Sequence, residues 1–248
     1  MKNMNSVIAA ALVFVLTACS QQQKAEPNSL TPAEKQAGWQ LLFDGESLAG
    51  WRGIHRDDVP ACWGVVDGEL VVNPKGQKNQ DKGDIITVNQ FADFDLTWEW
   101  KMAEAGGNSG LKYYVIEELS TGSGGIGLEY QILDDANHPA VTSGQIKSND
   151  YHTLGALYEI YEPAADKPIK PIGEWNSSRI LSLGNHVEHW LNGVKILEYE
   201  RGSTDFRARV AKSKFKKFDN FGEAEKGHLL LQEHGGAISF RNIKIKTL

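Results

Sequence analysis

Apolar and polar residues alternate with period two along much of the chain. In DLTWEWKM (95–102), Leu96, Trp98, Trp100 and Met102 fall on one face and Asp95, Thr97, Glu99 and Lys101 on the other, as a half-buried strand requires. GLEYQILD (127–134) alternates in the same way, with Glu129 and Gln131 sharing a face opposite Leu128, Tyr130 and Ile132. HVEHWLNGVKILEYE (186–200) sets Asn192-Gly193 between two apolar-bearing runs, a strong hairpin signal because both turn residues tolerate positive φ. The end, GHLLLQEHGGAISFRNIKIKTL (227–248), reads as strand, Gly-Gly turn, strand. No stretch after residue 38 keeps a helical period beyond about two turns. Many short strands at turn-punctuated spacing predict an all-β fold, a two-sheet β-sandwich or jelly roll.

The N-terminal residues follow another pattern. Lys2 precedes the apolar run IAAALVFVL (8–16), too short for the ~20 apolar residues of a membrane span. The segment ends Leu16-Thr17-Ala18-Cys19, so residues 1–18 read as a signal peptide whose end resembles a bacterial lipobox, with Cys19 the expected lipidation site. Ser20, not Asp, follows it, which points to the outer membrane of the cell envelope and to membrane contact through the lipid anchor only. Residues 19–38 are polar and Pro-containing, the composition of a solvated tether. Residues 39–248 then form one domain, long enough for one substantial core. With Cys19 lipidated, Cys62 has no partner for an intrachain disulfide, nor is there a Cys-rich zinc site.

Composition narrows the function classes. The 248 residues carry 26 basic and 32 acidic side chains, a formal charge of −6, which argues against a nucleic-acid partner. The one basic cluster, Lys212 to Lys217, is short and interleaved with Phe215, so it reads as a solvated face or hairpin. The Gly-rich stretch Thr121–Gly127 lacks the Lys and following helix of a phosphate loop, and no GxGxxG follows a strand, so no NAD or nucleotide site is expected. GxSxG and HExxH are also absent. His186 and His189, three apart on a strand, point to opposite faces and make a poor metal clamp.

What remains is a set of polar residues on strands whose other faces are apolar. Glu129 and Gln131 project about 7 Å apart on one sheet face, and Glu99 is similarly placed on its own strand. Gln232 and His234 share a face near the C-terminus, and His is the usual proton carrier near neutral pH. Asn108, in the tract Gly107-Asn108-Ser109-Gly110, offers an amide beside open backbone, while Trp175-Asn176 could stack on and hydrogen-bond a sugar ring. Asp134 and Asp135, with Glu129, form the oxygen set that could hold a divalent cation such as Ca²⁺, although no EF-hand loop is present.

Several tracts together resemble the bacterial 3-keto-disaccharide hydrolase domain family, formerly a domain of unknown function. They are LFDGESLAGWRG (42–53), WGVVDGEL (63–70), FADFDLTWEWK (91–101), GGNSGLKY (106–113), LEYQILDD (128–135), GEWNSSRI (173–180), HWLNG (189–193), LLLQEHG (229–235) and FRNIKI (240–245). The resemblance runs in order from Trp39 to Leu248 and implies a concanavalin A-like jelly roll. It also implies a reaction. A partner oxidoreductase converts a sugar C3 hydroxyl to a ketone, and the domain then cleaves the glycosidic bond by C2 proton abstraction, elimination and water addition. On this reading Glu129 is base or metal ligand, His138 or His234 the proton donor, and Glu99, Asn108, Gln131, Trp175, Asn176 and Gln232 position the saccharide.

Two other readings stay open at this level. One is a non-catalytic carbohydrate-binding surface lipoprotein on the same fold. The other is an ordinary retaining glycosidase. The strand motif E-Y-Q-I-L-D (129–134) disfavours the latter, because Gln131 stands where laminarinase-type sandwiches carry a middle carboxylate.

Overall fold

The structure is a computed structural model that describes residues 26–248 apart from 74 and 123. The expected signal peptide and Cys19 lie outside the described residues. Among the described residues, strands form two antiparallel sheets, as the alternating pattern predicts. The larger contains β1 (Gln40–Leu41), β3 (Trp63–Val66), β4 (Glu69–Val72), β6 (Phe94–Met102), β9 (Asn176–Leu183), β10 (His186–Leu191), β11 (Val194–Glu200) and β13 (Ile238–Thr247). Its order is β11-β10-β9-β6-β13-β4-β3, with β1 also paired to β13. The smaller contains β2 (Trp51–Gly53), β5 (Ile85–Phe91), β7 (Asn108–Thr121), β8 (Gly124–Leu133) and β12 (Gly227–Leu231), in the order β2-β5-β12-β7-β8.

Burial explains the pairing of the sheets. In β6 each residue of one parity is buried and each of the other half-buried, so Trp98 and Trp100 face inward and Glu99 and Lys101 face outward. Trp98 meets Tyr130 of β8 edge to face, ring centroids 5.1 Å apart, across the two layers. The Asn192-Gly193 turn has φ of 46° and 83°, the left-handed pair that the hairpin joining β10 to β11 requires. His186 lies on the solvent side of β10 and His189 is wholly buried.

His189 Nδ1 bonds the Gly155 carbonyl at 2.9 Å and Nε2 bonds the Tyr113 hydroxyl at 2.7 Å, so the ring joins both layers in its neutral form. Burial lowers its pKa to about 4, with the Gly155 carbonyl opposing. Cys62 is a buried free thiol, pushed up to about 11 by burial.

Two features depart from the sequence reading. First, the segment read as a tether is folded in its described part. Thr31 and Glu34 form a capping box on the short helix α1 (Pro32–Gln36). Lys244 binds Glu34 at 2.8 Å, and Asn28 exchanges hydrogen bonds with Asn242 of β13. The signal T-x-x-E is present in the sequence, but the absence of apolar periodicity hid it, since α1 docks by polar contacts.

Second, β8 alternates in polarity but not in burial: every residue from 127 to 133 is buried. Residues 155–158 run along its edge, with Gly155 N–H donating to the Gln131 carbonyl at 2.8 Å and Tyr158 N–H to the Glu129 carbonyl at 3.1 Å. The polar face of β8 is therefore covered, and that is where the chemistry gathers.

Candidate active site

Glu129 and Gln131 project from the outer face of the smaller sheet into a cavity of about 130 Å³. Asn108, Lys112, Gln232 and His234 share its walls, together with Tyr158, Lys214 and Phe215 from the covering loops. Five of the residues expected from sequence thus meet in one place. The register accounts for it: Asn108, Gly110 and Lys112 of β7 pair with Leu133, Gln131 and Glu129 of β8, so all point to the same side. Gln232 follows β12, its N–H donating to the Gly110 carbonyl at 3.0 Å. Gly110 makes room for the carboxylate, because a Cβ there would stand 2.7 Å from Glu129 Oε1.

The amides fix one another's orientation. Gln131 Nε2 donates to Asn108 Oδ1 at 2.9 Å, and Asn108 Nδ2 approaches His234 Nδ1 at 3.3 Å. His234 Nδ1 must then accept, which leaves the neutral ring with its proton on Nε2. Gln131 Oε1 and Gln232 Oε1 are buried with no partner among the described residues. Two bare acceptors in a polar cavity match ligand hydroxyls.

Glu129 is buried, yet among the described residues no group donates a hydrogen bond to its carboxylate. Its nearest cation is Lys112, Nζ 3.8 Å from Oε2. Lys112 was missed from the sequence, although it shares the Asn108 face of GNSGLKY and the same alternation would have found it. Lys112 Nζ also lies 3.8 Å from Asp84 Oδ2 and donates to the Gly125 carbonyl at 3.0 Å. Asp84 in turn accepts from Glu233 N at 2.9 Å and Gly125 N at 3.3 Å. It thereby ties the loop bearing Gln232 and His234 to the strands bearing Glu129 and Lys112. No spacing in the sequence signals a role for Asp84.

Burial raises the Asp84 pKa to about 6, with Lys112 opposing. The native state therefore keeps a proton that the unfolded chain releases near 3.8, and stability falls as pH rises through that window. His189 acts in the opposite sense: the unfolded chain takes up a proton near 6.5 and the native state only near 4, so stability is lost as pH falls between them. Replacing Asp84 removes only the first effect. Asp84→Asn should gain on wild type by up to about 3 kcal/mol between pH 4 and pH 7. Urea midpoints across that range test it, and parallel profiles for the two proteins would contradict it.

The other expected residues lie elsewhere. Glu99 faces outward from the larger sheet, where Arg241 Nε binds it at 2.6 Å. It is separated from Glu129 by the whole sandwich, whose sheets stack ~10 Å apart. Trp175 stands on that same outer side, with the Arg241 guanidinium 4.0 Å and the Lys101 ammonium 4.6 Å from its ring centroid. Alternation fixes which residues share a strand face, but not which sheet the strand joins. Asn176 is buried at the mouth of the sandwich. His138 caps the helical turn α2 (Pro139–Thr142), its Nδ1 accepting from Ala140 N at 3.3 Å. It is not a wall of the cavity, though burial and then the charge of His234 lower its pKa. Of the two histidines, His234 is the one in contact with the cavity.

The aspartates expected to hold a cation do not fit one. Asp134 Oδ1 accepts from Ala136 N, Asn137 N and Asn137 Nδ2, and Oδ2 from Gly106 N and Asn137 Nδ2, at 2.8–3.2 Å. Burial opposes these bonds, which together lower its pKa. Asp135 is taken by Leu154 N at 2.8 Å and by the Lys167 ammonium at 2.5 Å. N–H groups occupy the positions a metal would need, and Asp134 serves as the brace of its turn.

The 3-keto-alpha-glucoside-1,2-lyase-like domain model matches residues 38–246. A curated relative, the 3-keto-disaccharide hydrolase of Bacteroides thetaiotaomicron, is 34% identical over 246 residues, covering 90% of this chain and 83% of that protein. Two crystal structures of candidate glycosyl hydrolases from Parabacteroides distasonis are also similar. One is 37% identical with a TM-score of 0.79, covering 90% of this chain and 100% of that one. The other is 28% identical with a TM-score of 0.63, covering 85% and 99%. The match thus spans both sheets and every wall of the cavity, and the chain belongs to the 3-keto-alpha-glucoside-1,2-lyase-like domain family.

Proposed function

We propose that this protein is an enzyme that cleaves the glycosidic bond of 3-keto-glycosides, 3-keto-disaccharides among them, with Glu129 as the base. The observation that carries this reading is a buried carboxylate without a hydrogen-bond donor, opening into a polar cavity beside an imidazole oriented as a donor. The name of the Bacteroides relative supports the reaction class.

A ketone at C3 acidifies the hydrogen on C2. Glu129 takes that proton, and the C–H electrons pass into an enolate on the C3 oxygen. As the enolate collapses, a C1=C2 double bond forms and the C1–O bond breaks. His234 Nε2–H protonates the departing oxygen. Water then adds across the double bond, hydroxyl to C1 and proton to C2. Lys214 lines the cavity, its ammonium 4.2 Å from the Tyr158 ring centroid, and has no carboxylate within 4 Å among the described residues. It supplies positive charge for the enolate oxygen. Burial lowers the pKa of Lys214 and raises that of Tyr158 to about 12, so the phenol stays protonated.

Among the described residues, Asp134 is saturated with N–H donors and Asp84 is held by two backbone amides, so neither offers a free second carboxylate to act as a nucleophile. The same reading includes a partner oxidoreductase that makes the ketone. It also includes lipid anchoring at the cell envelope through Cys19. Purified protein incubated with trehalose-like and aryl glucosides and with their 3-keto forms provides the test. Turnover of the keto forms alone is expected. Hydrolysis of unoxidised glucosides would favour an ordinary glycosidase, and binding without turnover would favour a carbohydrate-binding module.

A further inference from the structure

A second, larger cavity of about 470 Å³ opens at the end of the sandwich, outside the catalytic residues assigned above. Its walls are apolar: Trp100 and Met102 from β6, Leu133 from β8, and Ile169, Pro171 and Ile172 from the segment leading into β9. Ile169 and Ile172 remain 46% and 40% exposed, two large aliphatic side chains held at the rim. A pocket of this size and lining suits a small apolar ligand.

Polar residues line it too, Asp134, Asp135, Asn137, Lys170 and Glu174 among them, and Asn176 is the most deeply buried of these. Asn176 is 2% exposed, and its Oδ1 accepts from Lys170 N at 3.0 Å and Asn192 Nδ2 at 2.8 Å. Asn192 is itself fixed, its Nδ2 also donating to the Pro168 carbonyl and its Oδ1 accepting from Ser177 N. The Asn176 amide therefore cannot turn over, and its Nδ2 has no partner among the described residues. A donor held in this orientation is available to a ligand acceptor. Asp134, Asp135 and Glu174 around the same pocket disfavour an anion.

The two cavities meet at one rung of the sheet. Asn108, a wall of the Glu129 cavity, is the cross-strand partner of Leu133, a wall of the second. Leu133 also lies four residues beyond Glu129, on the same strand parity and about 13 Å along β8. The turn 134–137 that borders the second pocket leads into His138.

We infer that the pocket is the leaving-group subsite, shaped for an uncharged aromatic aglycone whose ether or carbonyl oxygen accepts from Asn176 Nδ2. This rests on the reading of Glu129 as the base of a 3-keto-glycoside-cleaving enzyme.

Acetophenone, an uncharged aryl ketone, and 3-keto-glucose, which has no aglycone, serve as separate probes in equilibrium binding to the full protein. Ile172→Asp changes an exposed rim residue and leaves the core intact. The expected result is that wild type binds acetophenone, and that Ile172→Asp lowers the acetophenone-to-3-keto-glucose affinity ratio at least tenfold. In kinetics the same variant should lower kcat/KM for an aryl 3-keto-glucoside at least tenfold more than for 3-keto-trehalose. No acetophenone binding to wild type, or an unchanged ratio, would overturn the subsite. Acetophenone binding that responds to Ile172→Asp, with no turnover of any 3-keto substrate, would instead retain the pocket and overturn the proposed reaction.

Discussion

Glu129→Gln is expected to lower kcat by about 10²–10⁴-fold, the contribution of a positioned general base, while a 3-keto sugar still binds. The substitution preserves shape and removes only the capacity to take a proton. Little else should change, because no described donor relies on the carboxylate and the Lys112 ammonium beside it keeps Asp84 as a partner. Binding of 3-keto-glucose by calorimetry, set beside turnover of 3-keto-trehalose, separates the two effects. Loss of turnover with affinity retained would exclude a purely carbohydrate-binding role. Retained turnover would remove Glu129 from the chemistry and return the assignment of the base to the other residues of the cavity.

Lys112→Met should destabilise the fold by about 3–5 kcal/mol at neutral pH, the penalty for stripping a buried charge of its partner. The cost arises because both Glu129 and Asp84 lie 3.8 Å from the lost ammonium and, among the described residues, neither has another cation within 4 Å. The Gly125 carbonyl also loses its donor. The deficit should shrink in acid, since Asp84 takes up a proton near pH 6 and its buried charge disappears. Urea midpoints at pH 5 and pH 8 measure this. An equal deficit at both values would mean that Lys112 acts by packing alone, and a variant as stable as wild type would show that the two carboxylates tolerate one another without it.

The parts of this site that sequence could reveal were those carried by strand parity. Glu129 with Gln131, and Gln232 with His234, are each two residues apart, and in each case the pair reached one cavity. Parity failed at Glu99, which has the same spacing logic and a position on the far sheet, because partner choice among strands is a tertiary outcome. Tyr158 comes from an irregular segment and Lys214 from the short 3-10 turn Lys214–Lys217, whose positions no periodicity describes. The aspartates at 134 and 135 looked like cation ligands by composition. The turn they brace supplies N–H donors to the same oxygens, a competition visible only once the backbone is folded. The strands of the fold were legible because burial enforces alternation. The docking of α1 was not, because it rests on Asn28, Glu34 and Lys244 instead of apolar residues.

That docking sets the direction from which the domain is held. Glu34 and Asn242 border the outer surface of the larger sheet, beside Thr97, Glu99 and Arg179, whereas Glu129 opens from the outer surface of the smaller one. The chain therefore enters on one side of the sandwich and the cavity opens on the other. Traced back toward Asn28, the described chain thus lies on the Arg179 side, away from the mouth of the Glu129 cavity.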